Sequence, residues 1–95
     1  VSEFPPMYED IAIILDESVA ASAVEALIRQ TGGKTVTDVR LFDVYRDEKI
    51  GAGKKSLAYS LTYQAEKTLT DADAAAIRNK IVKRLENTIG AKLRS

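Results

Sequence analysis

The sequence predicts an α+β domain, an antiparallel four-stranded sheet with both helices on one face. Three observations lead to it. Apolar residues recur with strand-like patterning in several segments and with helical spacing in two others. The segments follow one another as strand, helix, strand, strand, helix, strand. The chain has 95 residues, enough for one core but not two, so one domain over residues 1–95 is expected.

FPPMYED (4–10) reads as an extended lead-in, because Pro5 and Pro6 disfavour helix. IAIIL (11–15) is a short apolar run bounded by charge, the pattern of a central strand. Val24, Leu27, Ile28 and Thr31 fall at helical spacing and predict a first helix over about 21–31. Ser18 or Ser22 is the expected cap, and Gly32 and Gly33 offer the left-handed exit. KTVTDVRLFDVY (34–45) alternates and is rich in β-branched and aromatic residues, as strands are.

RDEKIGAGKK (46–55) is charged and reads as a solvated hairpin tip, with SLAYSLTYQ (56–64) as the returning strand. In TLTDADAAAIRNKIVKRLENTIG (68–90), Thr70 is a good N-cap with Asp73 three residues on, a capping box with Asp in place of Glu. Ala74, Ile77, Ile81, Val82, Leu85 and Ile89 form the buried stripe of this second helix, and Gly90 ends it. AKLR (91–94) is a short closing edge strand. The order is the split β-α-β, ferredoxin-like arrangement. It leaves one sheet face uncovered, and a function would sit there.

Composition narrows the chemistry. There is no cysteine and no histidine. That removes disulfides, thiolate metal sites, the commonest general base and every histidine-based triad. The carboxylate pairs Asp16 with Glu17, Asp47 with Glu48, and Asp71 with Asp73 are loop or cap positions without a partner base. No catalytic residue and no metal ligand is assigned. No apolar run is long enough to span a bilayer, and no signal peptide is evident. The chain begins at Val1 and is expected to be a piece of a longer protein.

Net charge is zero but unevenly spread. Glu3, Glu9, Asp10, Asp16, Glu17 and Glu25 occur before residue 29 with no Lys or Arg, whereas Arg78, Lys80, Lys83, Arg84, Lys92 and Arg94 face only Glu86 after residue 77. Two readings stand: an anionic partner on one side, or cations that complement a helix dipole and solvate its outer face.

GAGKKS (51–56) resembles half of a phosphate-binding loop. The strict motif needs a Gly five residues before Gly53, where Glu48 stands, and a hydroxyl directly after Lys54, where Lys55 stands. It also opens a helix, whereas SLAYSLTY reads as a strand. The stretch is therefore a turn.

Alternation divides the hairpin strands into two faces. Leu57, Tyr59, Leu61 and Tyr63 should face the helices, and Ser56, Ala58, Ser60 and Thr62 the open side. Phe42 and Val44 are the natural inward pair of the preceding strand, which sends Asp43 and Tyr45 outward, beside Ser56. Val39 and Leu41 share the parity of Asp43. Either a bulge shifts the phase, or part of the open face is apolar and covered. A Tyr beside a carboxylate and a hydroxyl can read an RNA base by stacking and hydrogen bonding. From periodicity alone, a strand aromatic making a cross-strand pair is the favoured reading. The aromatic third-strand signature of the common RNA-recognition module is absent from KKSLAYSLTY.

Taken in order, Asp10 before an apolar first strand, FDVYR, G-x-G-K-K-S, TLTD and a closing Gly-Ala-x-Leu-Arg resemble the ferredoxin-fold anticodon-binding domain. That family forms the C-terminal module of bacterial phenylalanyl-tRNA synthetase β subunits, and the resemblance covers essentially the whole chain. It implies a non-catalytic domain that holds the anticodon stem-loop of phenylalanine tRNA. Asp43 would accept hydrogen bonds from an anticodon base, Tyr45 would stack on it, and Ser56 would add a further hydrogen bond. By charge and position rather than by motif, Arg46, Lys54, Lys55 and Arg94 would contact the RNA backbone. The implied partners are the synthetase α subunit and the other β-subunit domains, in a cytoplasmic α2β2 assembly. ATP and Mg2+ belong to that parent enzyme, with no cofactor in this domain. Family members commonly carry Arg directly before the first-strand Asp; here it is Glu9.

A second reading, from a different class, is a regulatory or oligomerisation module whose open face packs on a protein domain or small ligand. Val39 and Leu41 on that face would favour it. A stand-alone enzyme lacks its chemistry, since acylphosphatase-like catalysis on this fold needs an Arg and Asn pair about a phosphate loop after the first strand.

Overall fold

The computed structural model describes residues 4–94. Residues 1–3 and 95, including Glu3 of the acidic N-terminal set and the two ends of the expected 1–95 domain, lie outside the described residues. The elements are β1 (Met7–Asp16), α1 (Ala21–Gly32), β2 (Val36–Tyr45), β3 (Lys54–Tyr63), α2 (Asp71–Ile89) and β4 (Lys92–Leu93). The sheet order is β2-β3-β1-β4, and every neighbouring pair is antiparallel. This is the ferredoxin-like arrangement that the order of segments predicts. Among the described residues, no helix is long and apolar enough to cross a membrane.

β1 begins earlier than the apolar run at 11–15, with Met7 already opposite Tyr63. The strand starts as soon as the chain has passed Pro6, where each residue again offers an amide N–H to the ladder. α1 has Ala20 at its N-cap and no side-chain cap. Ser18 is not that cap: its N–H and hydroxyl both donate to Asp16 Oδ1, at 2.9 and 2.7 Å, which closes the turn before the helix. Ser22 lies within the first helical turn.

α2 has the expected capping box. The Asp73 N–H donates to Thr70 Oγ1 at 3.2 Å, and the Thr70 N–H donates to Asp73 Oδ2 at 2.9 Å. The last turn of α2 carries no basic residue, so its cations do not complement the dipole there. Lys80, Lys83 and Arg84 are instead exposed.

The core lies between the helices and one sheet face. Ile11, Ile13, Leu15, Leu57, Tyr59, Leu61 and Tyr63 from the sheet meet Val24, Ile28, Ala74, Ile81 and Leu85 from the helices. Each large apolar side chain so buried contributes about 1.5–3 kcal/mol. Glu9 also points this way. It accepts the Tyr63 hydroxyl on Oε1 at 2.9 Å and Arg78 Nη1 on Oε2 at 2.6 Å, joining β1 and β3 to α2.

The phase conflict in β2 is resolved by a bulge. Val39 lies opposite Leu61 and Leu41 opposite Tyr59, both on the helix side. The register then shifts between Leu41 and Asp43, after which Asp43 lies opposite Ala58, Val44 opposite Leu57 and Tyr45 opposite Ser56. Phe42 is the extra residue. It is 55% exposed rather than inward, because a residue added at a bulge leaves the pairing ladder. Val44 keeps its inward register but is 42% exposed.

Candidate nucleic-acid interface

Because the bulge shifts the phase by one residue, Asp43 and Tyr45 emerge on the face away from the helices. Two rows of cross-strand neighbours cross that face. One is Tyr45, Ser56, Ile14 and Lys92; the other is Asp43, Ala58 and Ala12, where the Arg94 N–H donates to the Ala12 carbonyl at 2.7 Å. Small side chains at Ala12, Ala58 and Ser60 keep the middle of the face low. Tyr45 stands at the β2 side, and the Arg94 side chain reaches toward it across the face from beyond β4.

The Tyr45 ring is held from two directions. Its hydroxyl donates to Asp47 Oδ2 at 2.7 Å. The Arg94 guanidinium carbon lies 5.0 Å from the ring centroid, within cation–π range. The hydrogen bond to Asp47, and then burial, raise the phenol pKa above its ordinary value. Asp47 Oδ1 also accepts the Lys49 N–H at 2.9 Å, which caps a short 3-10 turn at 48–50. These two donors, Lys49 first, hold the Asp47 carboxyl below the usual carboxylate range.

Ser56 is only 3% exposed. Arg94 lies against it, Nη1 donating to Oγ at 3.4 Å. A base that bonds to Ser56 must therefore move the Arg94 side chain. The Asp43 carboxylate is exposed and carries no side-chain hydrogen bond or ion pair among the described residues, so its oxygens are free to accept.

The other basic residues singled out from the sequence divide. Lys54 is exposed at the start of β3. Lys55 is 8% exposed and opposite Leu15, on the helix side. Arg46 Nε donates to Glu17 Oε1 at 2.7 Å, drawn toward the β1–α1 turn. GAGKKS is a return of the chain: Gly51 and Gly53 have φ of 114° and 71°, a region that glycine enters without steric cost. The strand β3 follows it, not a helix, and the Glu17 N–H donates to the Gly53 carbonyl at 2.8 Å. Among the described residues, no three acidic side chains gather as a metal site would require.

The family model for the ferredoxin-fold anticodon binding domain matches residues 2–94. The chain belongs to this family. It is 46% identical over 93 residues to the phenylalanine–tRNA ligase beta subunit of Clostridium tetani, which covers 97% of this chain and 12% of that protein. The corresponding subunit of Halalkalibacterium halodurans is 46% identical over 92 residues, 96% of this chain and 11% of the relative. That of Corynebacterium efficiens is 43% identical over 95 residues, 99% and 11%. The chain thus spans only 11–12% of the length of these relatives.

In this anticodon-binding family member, Glu9 is the residue at which the sequence is expected to depart from its family. Its carboxylate is turned to the helices, tied to Tyr63 and Arg78, and takes no part in the open face. Sequence reasoning placed Asp47 at a loop or cap position, as observed, but did not pair it with Tyr45. Its signal was local: an Asp two residues before Lys49, the spacing at which an Asp side chain accepts a backbone N–H and closes a turn. Lys92 was read only as one of the late cations and Lys49 only as part of the charged tip, because nothing in the sequence shows that the tip and β4 line one hollow.

Proposed function

We propose that this domain binds the anticodon stem-loop of phenylalanine tRNA, as a non-catalytic module of a phenylalanine–tRNA ligase β subunit. The observation that carries this reading is the β2 bulge, which sets Asp43 and Tyr45 beside Ser56 on the uncovered sheet face. Family membership and the names of the relatives support it. Tyr45 stacks on an anticodon base, Asp43 accepts from its donors, and Ser56 bonds to it once Arg94 has moved. Lys54 and Arg94 contact the RNA backbone. The partners are the α subunit and the remaining β-subunit domains of a cytoplasmic α2β2 enzyme, whose other domains use ATP and Mg2+.

The apolar residues that favoured a protein interface on the open face do not lie there. Val39 and Leu41 are opposite Leu61 and Tyr59, on the helix side.

Titration of the chain with a phenylalanine anticodon stem-loop, beside one carrying an unrelated anticodon, tests the reading. Preference for the first is expected. Tyr45→Ala should weaken that binding by the worth of one stacked base, about 1–3 kcal/mol, with an unchanged urea midpoint. Equal binding of both RNAs by the parent chain, or full affinity in Tyr45→Ala, defeats it.

A further inference from the structure

A basic basin lies beside the Tyr45 site at the β4 edge of the open face. It is open to solvent, has a volume of about 600 Å³ and is lined by Ile14, Lys49, Ile50, Lys54, Gly90, Lys92 and Arg94. Four of those residues are cations and none is an acid. Lys49 arrives on the 3-10 turn capped by Asp47, Lys54 opens β3, and Lys92 stands opposite Ile14. Lys49, Lys54 and Lys92 form no salt bridge with any described residue. Lys54 lies opposite Asp16, which offsets part of its charge.

Like charges gathered around one hollow repel one another, and no salt bridge among the described residues neutralises Lys49 or Lys92. An anion satisfies them. The basin also shares a residue with the base site. Arg94 lines it and at the same time covers the Tyr45 ring at 5.0 Å. The row from Tyr45 through Ser56 and Ile14 to Lys92 crosses three strand spacings, roughly 14 Å. That span is short enough for a nucleic-acid strand whose base sits at Tyr45 to lay a backbone phosphate in the basin. We propose that this basin binds backbone phosphates of the RNA strand held at Tyr45, with Lys49 and Lys92 as phosphate contacts in addition to Lys54 and Arg94.

The inference rests on the RNA-binding reading, and its test separates the two. The affinity of the phenylalanine stem-loop and of the unrelated stem-loop is measured across a range of salt. The chains compared are the parent, Lys49→Ala/Lys92→Ala, and Lys80→Ala/Lys83→Ala, which removes the same charge from α2. Removing one lysine–phosphate pair should lower the slope of log affinity against log salt by about 0.7 for a single strand. The basin variant removes two such pairs, so its slope should fall by about 1.4, and it should weaken both RNAs by the same factor, because phosphates carry no sequence information. The α2 variant should keep the parent slope. An unchanged slope in the basin variant, or an equal drop in both variants, overturns the basin even where the anticodon preference stands. A parent chain that binds both RNAs equally, with the slope still falling only in the basin variant, supports the basin and defeats the anticodon reading. Binding of neither RNA overturns both.

Discussion

The Tyr45 hydroxyl donates a 2.7 Å hydrogen bond to Asp47 Oδ2, and the same carboxylate caps the turn that carries Lys49. One short side chain therefore ties down both the Tyr45 ring and the turn that carries Lys49. A ring held in place before the base arrives loses less freedom on binding.

Asp47→Ala should therefore lower stem-loop affinity without touching RNA itself. It should also lower the Tyr45 phenol pKa toward its ordinary value of 10.0, because the hydrogen bond to Asp47 is the main cause of the upward shift. Phenolate absorbance, followed against pH in the variant and the parent with Tyr45→Phe as reference, reads this directly. No movement of the Tyr45 titration would mean that Asp47 does not hold the ring.

Glu9 joins the sheet to α2 through Tyr63 and Arg78. Glu9→Ala leaves the hydroxyl of the buried Tyr63 without its acceptor, a loss of about 1–3 kcal/mol. Glu9→Gln keeps an acceptor for Tyr63 and loses the ion pair, whose side chains are 34% and 20% exposed, so its effect should be smaller. Urea unfolding should order the chains as parent, Glu9→Gln, Glu9→Ala. RNA affinity should be the same in all three, because the carboxylate faces the helices. A midpoint in Glu9→Ala equal to the parent's would rule this network out as a stabilising one.

The pH profile of stability should fall at both ends. Burial, and secondarily Glu25, push the Tyr59 phenol up to about 12 from 10.0. Burial and the hydrogen bond to Glu9 push Tyr63 up as well. Both folded-state values lie above the unfolded one, so this stability is intact below pH 10 and is lost as pH rises toward about 12. At the acid end, hydrogen bonds hold Asp16, Asp47 and Asp73 below 3.8. Their contribution is present above that value and lost as pH falls through the lower folded-state values. Urea midpoints across the alkaline range, with Tyr59→Phe for comparison, check the first limb. A parent profile that stays flat through that range would contradict it.

Much of this molecule was legible in the residues. The alternation of Leu57, Tyr59, Leu61 and Tyr63 against Ser56, Ala58, Ser60 and Thr62 determined which face of β3 is buried, because strand side chains point alternately to opposite sides. Thr70 and Asp73 determined the start of α2, because a capping box needs only residues three apart. The spacing of GAGKKS determined that it is a turn.

Contacts between distant segments were decided by the tertiary structure alone. Strand period is uniform along a sequence, so it could pose the conflict between Leu41 and Asp43 but not locate the bulge at Phe42. That required the partner strand and its register. Ion pairs and like-charge clusters depend on where segments meet in space. Glu9 met Arg78 across the core, Lys55 turned inward opposite Leu15, and Arg94 reached from the chain's end to cover Tyr45 and Ser56. Local rules of side-chain direction and capping are short-ranged and can be read from neighbours in sequence. The charge environment of the open face is set by residues that only the fold brings together.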